Sequence, residues 1–153
     1  MRLLASTDYA LRVLMLLGQA PPDIHLSVET LAERLGGLSR HHLHKIVQDL
    51  TAQGVTRTVR GAGGGVMLAK PPETIGLGAL IRHLEAGQAM VACFKSDDSG
   101  CTLLPGCRLR GIVARAEQDF YARLDEYTLA DCLLTGAGFQ NEDAAPRVSP
   151  TNA

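Results

Sequence analysis

The chain has 153 residues, of which 46% are hydrophobic and 20% charged, and this composition is typical of a globular protein with its own core. Its formal net charge of −1 at pH 7, taken alone, argues against a nucleic-acid partner. No apolar stretch is long enough to cross a bilayer. The first apolar run contains Arg12 and lacks a cleavage site, so we expect no secretory signal and a cytoplasmic chain with reduced thiols.

The charge is unevenly distributed along the chain. Residues 39–70 hold five basic residues and one aspartate, whereas residues 71–153 hold seven basic and eleven acidic residues. Such a division is typical of a basic nucleic-acid-binding module joined to an acidic element. The distribution therefore favours the nucleic-acid partner that the net charge argued against.

The first predicted helix begins near Thr7, a residue type that can cap it, and ends between Gly18 and Pro22. Its apolar positions form a broad stripe that we expect to be buried. Asp8 lies in the opening turn, where the helix dipole favours a carboxylate, and this is the usual role of such a residue.

Two short helices joined by a glycine turn are predicted next. Ser27 can cap the first helix and Ser39 the second, with Gly36 and Gly37 between them, which is the pattern of a helix-turn-helix. The second helix begins with polar and basic side chains that could reach base edges and phosphates: Arg40, His41, His42, His44 and Lys45. A merely solvated amphipathic helix is the alternative.

A β-hairpin is predicted after the helix-turn-helix. The β-branched segment 55–59 and the segment 66–69 flank a glycine-rich turn, with Arg57 and Arg60 near its tip. The glycine run opens no helix and lacks the ending of a nucleotide-binding loop, so a wing that lies along DNA is favoured. The predicted fold is mainly α with a small β-hairpin wing, a winged helix-turn-helix followed by a long dimerisation helix.

Three regions are expected. Residues 1–72 would form the winged helix-turn-helix domain, residues 73–134 the cysteine loop and the dimerisation helix, and residues 135–153 a disordered tail. Apolar residues recur at spacings of three and four over 109–127, which favours burial against a second copy. The same stripe could instead pack back on its own domain.

Three of the four cysteines, Cys93, Cys101 and Cys107, lie on one segment rich in turn-forming residues. Thiols on one flexible loop can converge on a metal or an iron–sulfur cluster. Their spacing does not fit the paired Cys-x-x-Cys of structural zinc. A fortuitous grouping, or one disulfide with a spare thiol, remains open. Cys132 lies on an apolar face and is assigned to packing.

Residues 1–134 resemble the Rrf family of bacterial winged-helix iron–sulfur transcriptional regulators, which includes NsrR and IscR. The resemblance is carried by the opening MRLLASTDYALRVLMLL, by LSRHHLHKIVQDLTAQGVTRTVRGAGGGVMLA, and by ACF, CRL and YTLADCL around the cysteine loop. The NsrR branch is the more similar, because IscR-like members have a histidine ligand where this chain has Arg110.

The resemblance implies an iron–sulfur cluster, 4Fe–4S in preference to 2Fe–2S, bound by Cys93, Cys101 and Cys107. It implies Asp8 of the partner subunit as the fourth ligand. A carboxylate bonds iron less tightly than a thiolate and would leave a corner of the cluster open to a small ligand. One departure is the seven residues between the first two cysteines, since the family usually has about five.

The functional prediction is a homodimeric DNA-binding transcriptional repressor, not an enzyme, that senses nitric oxide through the cluster. Its DNA-binding residues are predicted to be Ser39, Arg40, His41, His42, Lys45, Arg57 and Arg60. Sensing of iron or redox state is the alternative within the family. An enzyme or electron carrier is disfavoured, because the sequence offers no substrate-binding motif and no pairing of a nucleophile with a base.

Overall fold

The computed structural model describes residues 3–21, 23–61, 63–94, 101, 103 and 106–133. The described part contains five α-helices, a two-stranded antiparallel hairpin and short 3-10 turns, which confirms the predicted fold class. The helices and strands are α1 (Ala5–Gln19), α2 (Val28–Arg34), α3 (Arg40–Ala52), β1 (Thr56–Val59), β2 (Gly65–Leu68), α4 (Leu77–Leu84) and α5 (Arg108–Leu124). The predicted disordered tail lies outside the described residues. Within them, no helix is long and apolar enough to cross a membrane.

Both predicted caps of the helix-turn-helix are present. The Ser27 hydroxyl accepts a hydrogen bond from the backbone N–H of Thr30 at 3.0 Å, and the Ser39 hydroxyl accepts one from His42 at 3.3 Å. Gly36, with a φ of 78°, adopts the left-handed conformation that glycine tolerates best and ends α2. The sequence therefore specifies this motif locally.

The start of α1 differs from the prediction. The helix begins at Ala5, and Thr7 is a fully buried residue of its first turn that does not cap it. The backbone N–H of Leu4, the actual N-cap residue, instead donates to the Glu85 carboxylate at 2.9 Å. The prediction that Thr7 caps this helix is wrong, and the acceptor for the N–H of the N-cap residue lies 81 residues away in the sequence.

The hairpin contacts α3 through one of its faces, and the edge of β2 pairs with the segment before α2. Thr58 pairs with Val66, and Leu26 forms an isolated bridge to Val66 on the other side. The Thr56 hydroxyl lies 2.9 Å from that of Thr51 on α3. Because side chains alternate along a strand, Thr56 and Thr58 point to one face of the hairpin and Arg57 to the other.

One hydrophobic core runs through the described chain, with α1 at its centre. Val13 and Leu14 have no exposed surface, and the core also includes Leu43 of α3, Val66 of β2 and Leu129 near the described carboxyl end. Residues on both sides of position 72 thus share this core. The helix-turn-helix is held rigidly against the elements that flank the cysteine loop.

A polar clamp holds α4 against the end of α5. The Arg82 guanidinium donates two hydrogen bonds to the Asp125 carboxylate and lies 4.9 Å from the centre of the Tyr121 ring. These hydrogen bonds hold the pKa of Asp125 below its usual value. The clamp requires a glycine at position 78, because a Cβ there would meet Oδ1 of Asp125 and would lie 2.8 Å from its backbone nitrogen.

We expect Gly78→Ala to destabilise the protein. In an unencumbered helix this change would stabilise by about 1 kcal/mol. Here the overlap with Asp125 should instead cost about 1–3 kcal/mol in the free energy of unfolding. Chemical denaturation of the variant measures the difference, with Gly111→Ala inside α5 as the control, because a Cβ there would meet nothing within 4 Å. A more stable Gly78→Ala protein would contradict this packing of α4 and α5.

Candidate DNA interface and thiol site

The recognition helix α3 presents a polar face because its large apolar residues are turned inward. Leu43, Ile46, Val47 and Leu50 are buried, which leaves the polar side chains exposed, namely Arg40, His41, His42, His44, Lys45, Gln48 and Asp49. Ser39, predicted to touch DNA, caps the helix with its hydroxyl. This face has the composition and the position that a recognition helix requires.

Two of the predicted DNA-binding residues also contact other helices. Arg40 lies 3.6 Å from Glu29 of α2 with both side chains more than half exposed, so the pair is weak and Arg40 is able to turn toward a phosphate. His42 makes an edge-on contact with the Tyr9 ring of α1, with 6.2 Å between ring centres. His42 thus joins the recognition helix to α1.

The two wing arginines differ in position. Arg60 is exposed at the end of β1 nearest the turn. Arg57 lines a groove on the face of the hairpin away from α3, together with Leu17, Ile24 and Lys70. The structure therefore places Arg57 apart from the recognition helix, a difference that the count of basic residues in the sequence did not reveal.

Gln48 and Thr58 were absent from the predicted set, and both are exposed polar residues beside the recognition helix and the wing. A sequence signal existed for each. Gln48 follows His44 by four residues on the same helical face, and Thr58 alternates with the buried Thr56. The prediction named residues at the start of α3 and the arginines of the wing, so it did not include these two uncharged residues.

One of the loop thiols, that of Cys107, lines a groove at the start of α5. Cys107 is the N-cap residue of α5, and Cys93 lies in the 3-10 turn Ala92–Phe94. Phe94 and Cys107 line a groove of about 600 Å³ with Arg110, whose guanidinium lies 5.9 Å from the centre of the Phe94 ring. All three loop cysteines are partly exposed and none forms a disulfide.

The described part of the chain brings together no group of three His, Cys, Asp or Glu side chains that could hold a metal ion. Residues 95–100, within the cysteine loop, lie outside the described part. Asp8 is exposed on α1, where its carboxylate pairs with Arg12 at 2.9 Å. The prediction that Asp8 joins the three cysteines therefore stays a prediction.

Cys132 occupies a different environment from the loop cysteines. It lies in the 3-10 turn Leu129–Cys132, and burial raises the pKa of its thiol. Burial that disfavours the thiolate makes Cys132 a poorer metal ligand, because metals bind the thiolate. The environment of Cys132 supports its assignment to packing.

The donor set fits an iron–sulfur cluster by its chemistry. Three unbonded, partly exposed thiols are available, and Cys107 lies at the amino-terminal end of a helix, where the dipole stabilises a negatively charged ligand. The set is thus suitable for a cluster by the chemistry of its ligands.

The fold and the exposed polar face of α3 define a winged helix-turn-helix regulator of transcription. A family model for Rrf2, described as an iron-dependent transcriptional regulator, matches residues 3–134. The chain belongs to the Rrf2 family, and it is a transcriptional regulator that binds DNA and not an enzyme.

The similar proteins agree with this assignment. The chain is 41% identical to the transcriptional regulator NsrR of Geobacillus kaustophilus, over 92% of this chain and 95% of that protein. It is 38% identical to NsrR of Oceanobacillus iheyensis, over 87% and 90%. Among solved structures, the cysteine regulator CymR of B. subtilis matches with a TM-score of 0.67 at 25% identity, over 86% of this chain and 95% of that chain. T. potens IscR matches with a TM-score of 0.65 at 26% identity, over 86% and 85%.

Proposed function

We propose that this chain is a homodimeric repressor that senses nitric oxide through an iron–sulfur cluster bound by Cys93, Cys101 and Cys107. The observation that carries the proposal is that three free, partly exposed thiols and a recognition helix occur in one chain of an iron-dependent regulator family. The NsrR relatives match most of this chain over most of their own length, and this similarity supports nitric oxide as the proposed signal.

The cluster, when bound, supplies iron that can take up nitric oxide. The chain's own residues hold it and limit access to it. Cys107 contributes a thiolate at the start of α5, and the partly exposed Cys93 and Cys101 leave a path for a small ligand. Asp8 of the partner subunit would complete the ligand set with a weaker carboxylate bond.

A dimer is supported by the exposure of α5. This helix of 17 residues has no buried residue, and Leu109 and Ile112 expose 64% and 55% of their surface. Both belong to the apolar stripe along the helix, while the opposite side holds Arg110, Glu117 and Gln118. A second copy packed against the stripe would remove this apolar area from water.

A chain of contacts on α1 connects Asp8 to the recognition helix. Asp8 pairs with Arg12, and the Arg12 guanidinium lies 5.9 Å from the centre of the Tyr9 ring. Tyr9 in turn contacts His42 of α3. If Asp8 leaves or joins the ligand set, Arg12 and Tyr9 change partners, and α3 responds through His42.

Sensing of iron or of redox state is the second candidate within the same fold. The description of the family as iron-dependent favours it. The two candidates differ in how the visible absorption of the holo protein responds. A nitric-oxide sensor loses its absorption with nitric oxide and resists a mild reductant, whereas a redox sensor responds to the reductant.

Replacement of the loop cysteines tests the proposed ligands. We expect Cys93→Ala, Cys101→Ala and Cys107→Ala proteins, purified without oxygen, to lack visible iron–thiolate absorption and the response to nitric oxide. Cys132→Ala is the matched control and should keep both, since Cys132 lies outside the cysteine loop, in the 3-10 turn Leu129–Cys132. A coloured Cys101→Ala protein beside a colourless Cys132→Ala protein would overturn the ligand assignment.

Asp8→Ala tests the fourth ligand, and Arg12→Ala is its control. Either change removes the same ion pair, and the loss of Asp8 from the first turn should cost about 0.3–1 kcal/mol in stability. As a ligand, however, Asp8 should alter the visible spectrum and the rate of reaction with nitric oxide when it is replaced. Arg12→Ala should leave the spectrum unchanged. Identical spectra for Asp8→Ala and wild type would leave Asp8 with only its helix-dipole role.

Ile112→Glu tests the dimer. A carboxylate in the exposed part of the apolar stripe would be buried without a partner in the dimer, so we expect the dimer to dissociate to monomers in analytical ultracentrifugation. Gln118→Glu adds the same charge on the other side of α5 and should preserve the dimer. A dimeric Ile112→Glu protein would show that this stripe is not the interface.

A further inference from the structure

An apolar groove of about 570 Å³ lies on the face of the hairpin away from α3, next to the end of α1. Its lining includes Leu17 of α1 and Met67 and Leu68 of β2. Ile24, between α1 and α2, also lines the groove and exposes 50% of its surface. An apolar side chain seated in this groove would remove that surface from water.

The described lining of the groove also carries positive charge. Arg57 of β1 lies opposite Met67 in the hairpin and is exposed, and Lys70, which follows β2, is exposed as well. Asp23 is the one carboxylate in the described lining. A segment with an aromatic side chain close to two carboxylates would therefore be complementary to the groove in both polarity and charge.

The described part of the chain ends beside this groove. Leu133 is its last residue, and Cδ2 of Leu133 lies 2.8 Å from the position that a Cβ at Gly18 would take. Gly18 itself lines the groove. Residues 134–153 lie outside the described part, and the chain leads into them from a point next to the groove.

The sequence after Leu133 contains the complementary groups. Phe139 is the one aromatic residue of 134–153, and Glu142 and Asp143 follow it closely. The step from position 133 to position 139 spans at most about 20 Å in an extended chain, which is enough to cross a groove of this volume. A polar, glycine-rich segment has no core of its own and is able to order when it binds.

We propose that the tail segment, residues 138–143, docks in this groove of its own chain. Phe139 covers the apolar lining, and the two acidic residues of the tail segment lie beside Arg57 and Lys70. The inference does not depend on the cluster or on the signal that the protein senses. It gives Arg57 a partner within the chain, in agreement with its position away from the recognition helix.

Tryptophan fluorescence tests the docking, because the chain contains no tryptophan. In the full-length Phe139→Trp protein without DNA, we expect a blue-shifted emission and weak quenching by acrylamide, since the groove covers the indole. Val148→Trp, beyond the tail segment, is the matched control and should show the emission and quenching of an indole in water. Equal emission and quenching in the two proteins would overturn the proposal.

Charge reversal tests whether the groove is the site. In the Phe139→Trp protein, Arg57→Glu with Lys70→Glu should lower the ratio of docked to free tail segment by about tenfold, the effect of two exposed ion pairs. Adding Glu142→Lys and Asp143→Lys should restore the blue shift. Arg60→Glu, outside the groove lining, is the control and should leave the shift unchanged. A shift that survives reversal of both cations, or one that the combined reversal does not restore, would contradict docking in this groove.

Mixed dimers show which chain the tail segment enters. Phe139→Trp chains are left to exchange subunits with an excess of chains that carry Arg57→Glu and Lys70→Glu and contain no tryptophan. Docking within one chain keeps the emission blue-shifted, whether or not the chains associate. Loss of the shift on mixing would place the tail segment in the groove of a second copy and would refute docking within the chain.

Discussion

The burial of α1 is the constraint on which the rest of the structure depends. Val13 and Leu14 are fully buried, and each such side chain stabilises the fold by about 1.5–3 kcal/mol. The same helix packs against α3 and β2 on the DNA-binding side and against α4 on the other. Its start is held by Glu85, the first residue after α4. The helix-turn-helix and the elements before the cysteine loop therefore share one support.

This arrangement gives α1 two faces with different tasks. One face is part of the close-packed core, and such an interior has low compressibility. The other face exposes Asp8 and Arg12 to solvent, with Tyr9 reaching the recognition helix at His42. A change at the exposed face is thus able to reach α3 without disturbing the core. The Arg82–Asp125 clamp holds α5 against α4 and leaves the apolar stripe of α5 exposed.

Locally determined features were predictable from the sequence. Ser27 and Ser39 cap helices through bonds to residues three positions away, and the hairpin follows from alternation around a glycine turn. The start of α1 was not predictable, since it depends on a carboxylate 81 residues away. The side of the hairpin that carries Arg57 depends equally on packing. The three cysteines predict a thiol site by their type and by their place on one loop, but the identity of a fourth ligand depends on packing in three dimensions that their spacing does not encode.

The most direct measurement is a titration of the holo protein, bound to a fluorescent operator, with nitric oxide in the absence of oxygen. Visible absorption and fluorescence anisotropy are recorded on the same sample. For a repressor regulated through its cluster, the loss of iron–thiolate absorption and the release of DNA should occur at the same number of nitric oxide equivalents per dimer. Complete loss of the absorption with the operator still bound would contradict regulation by nitric oxide.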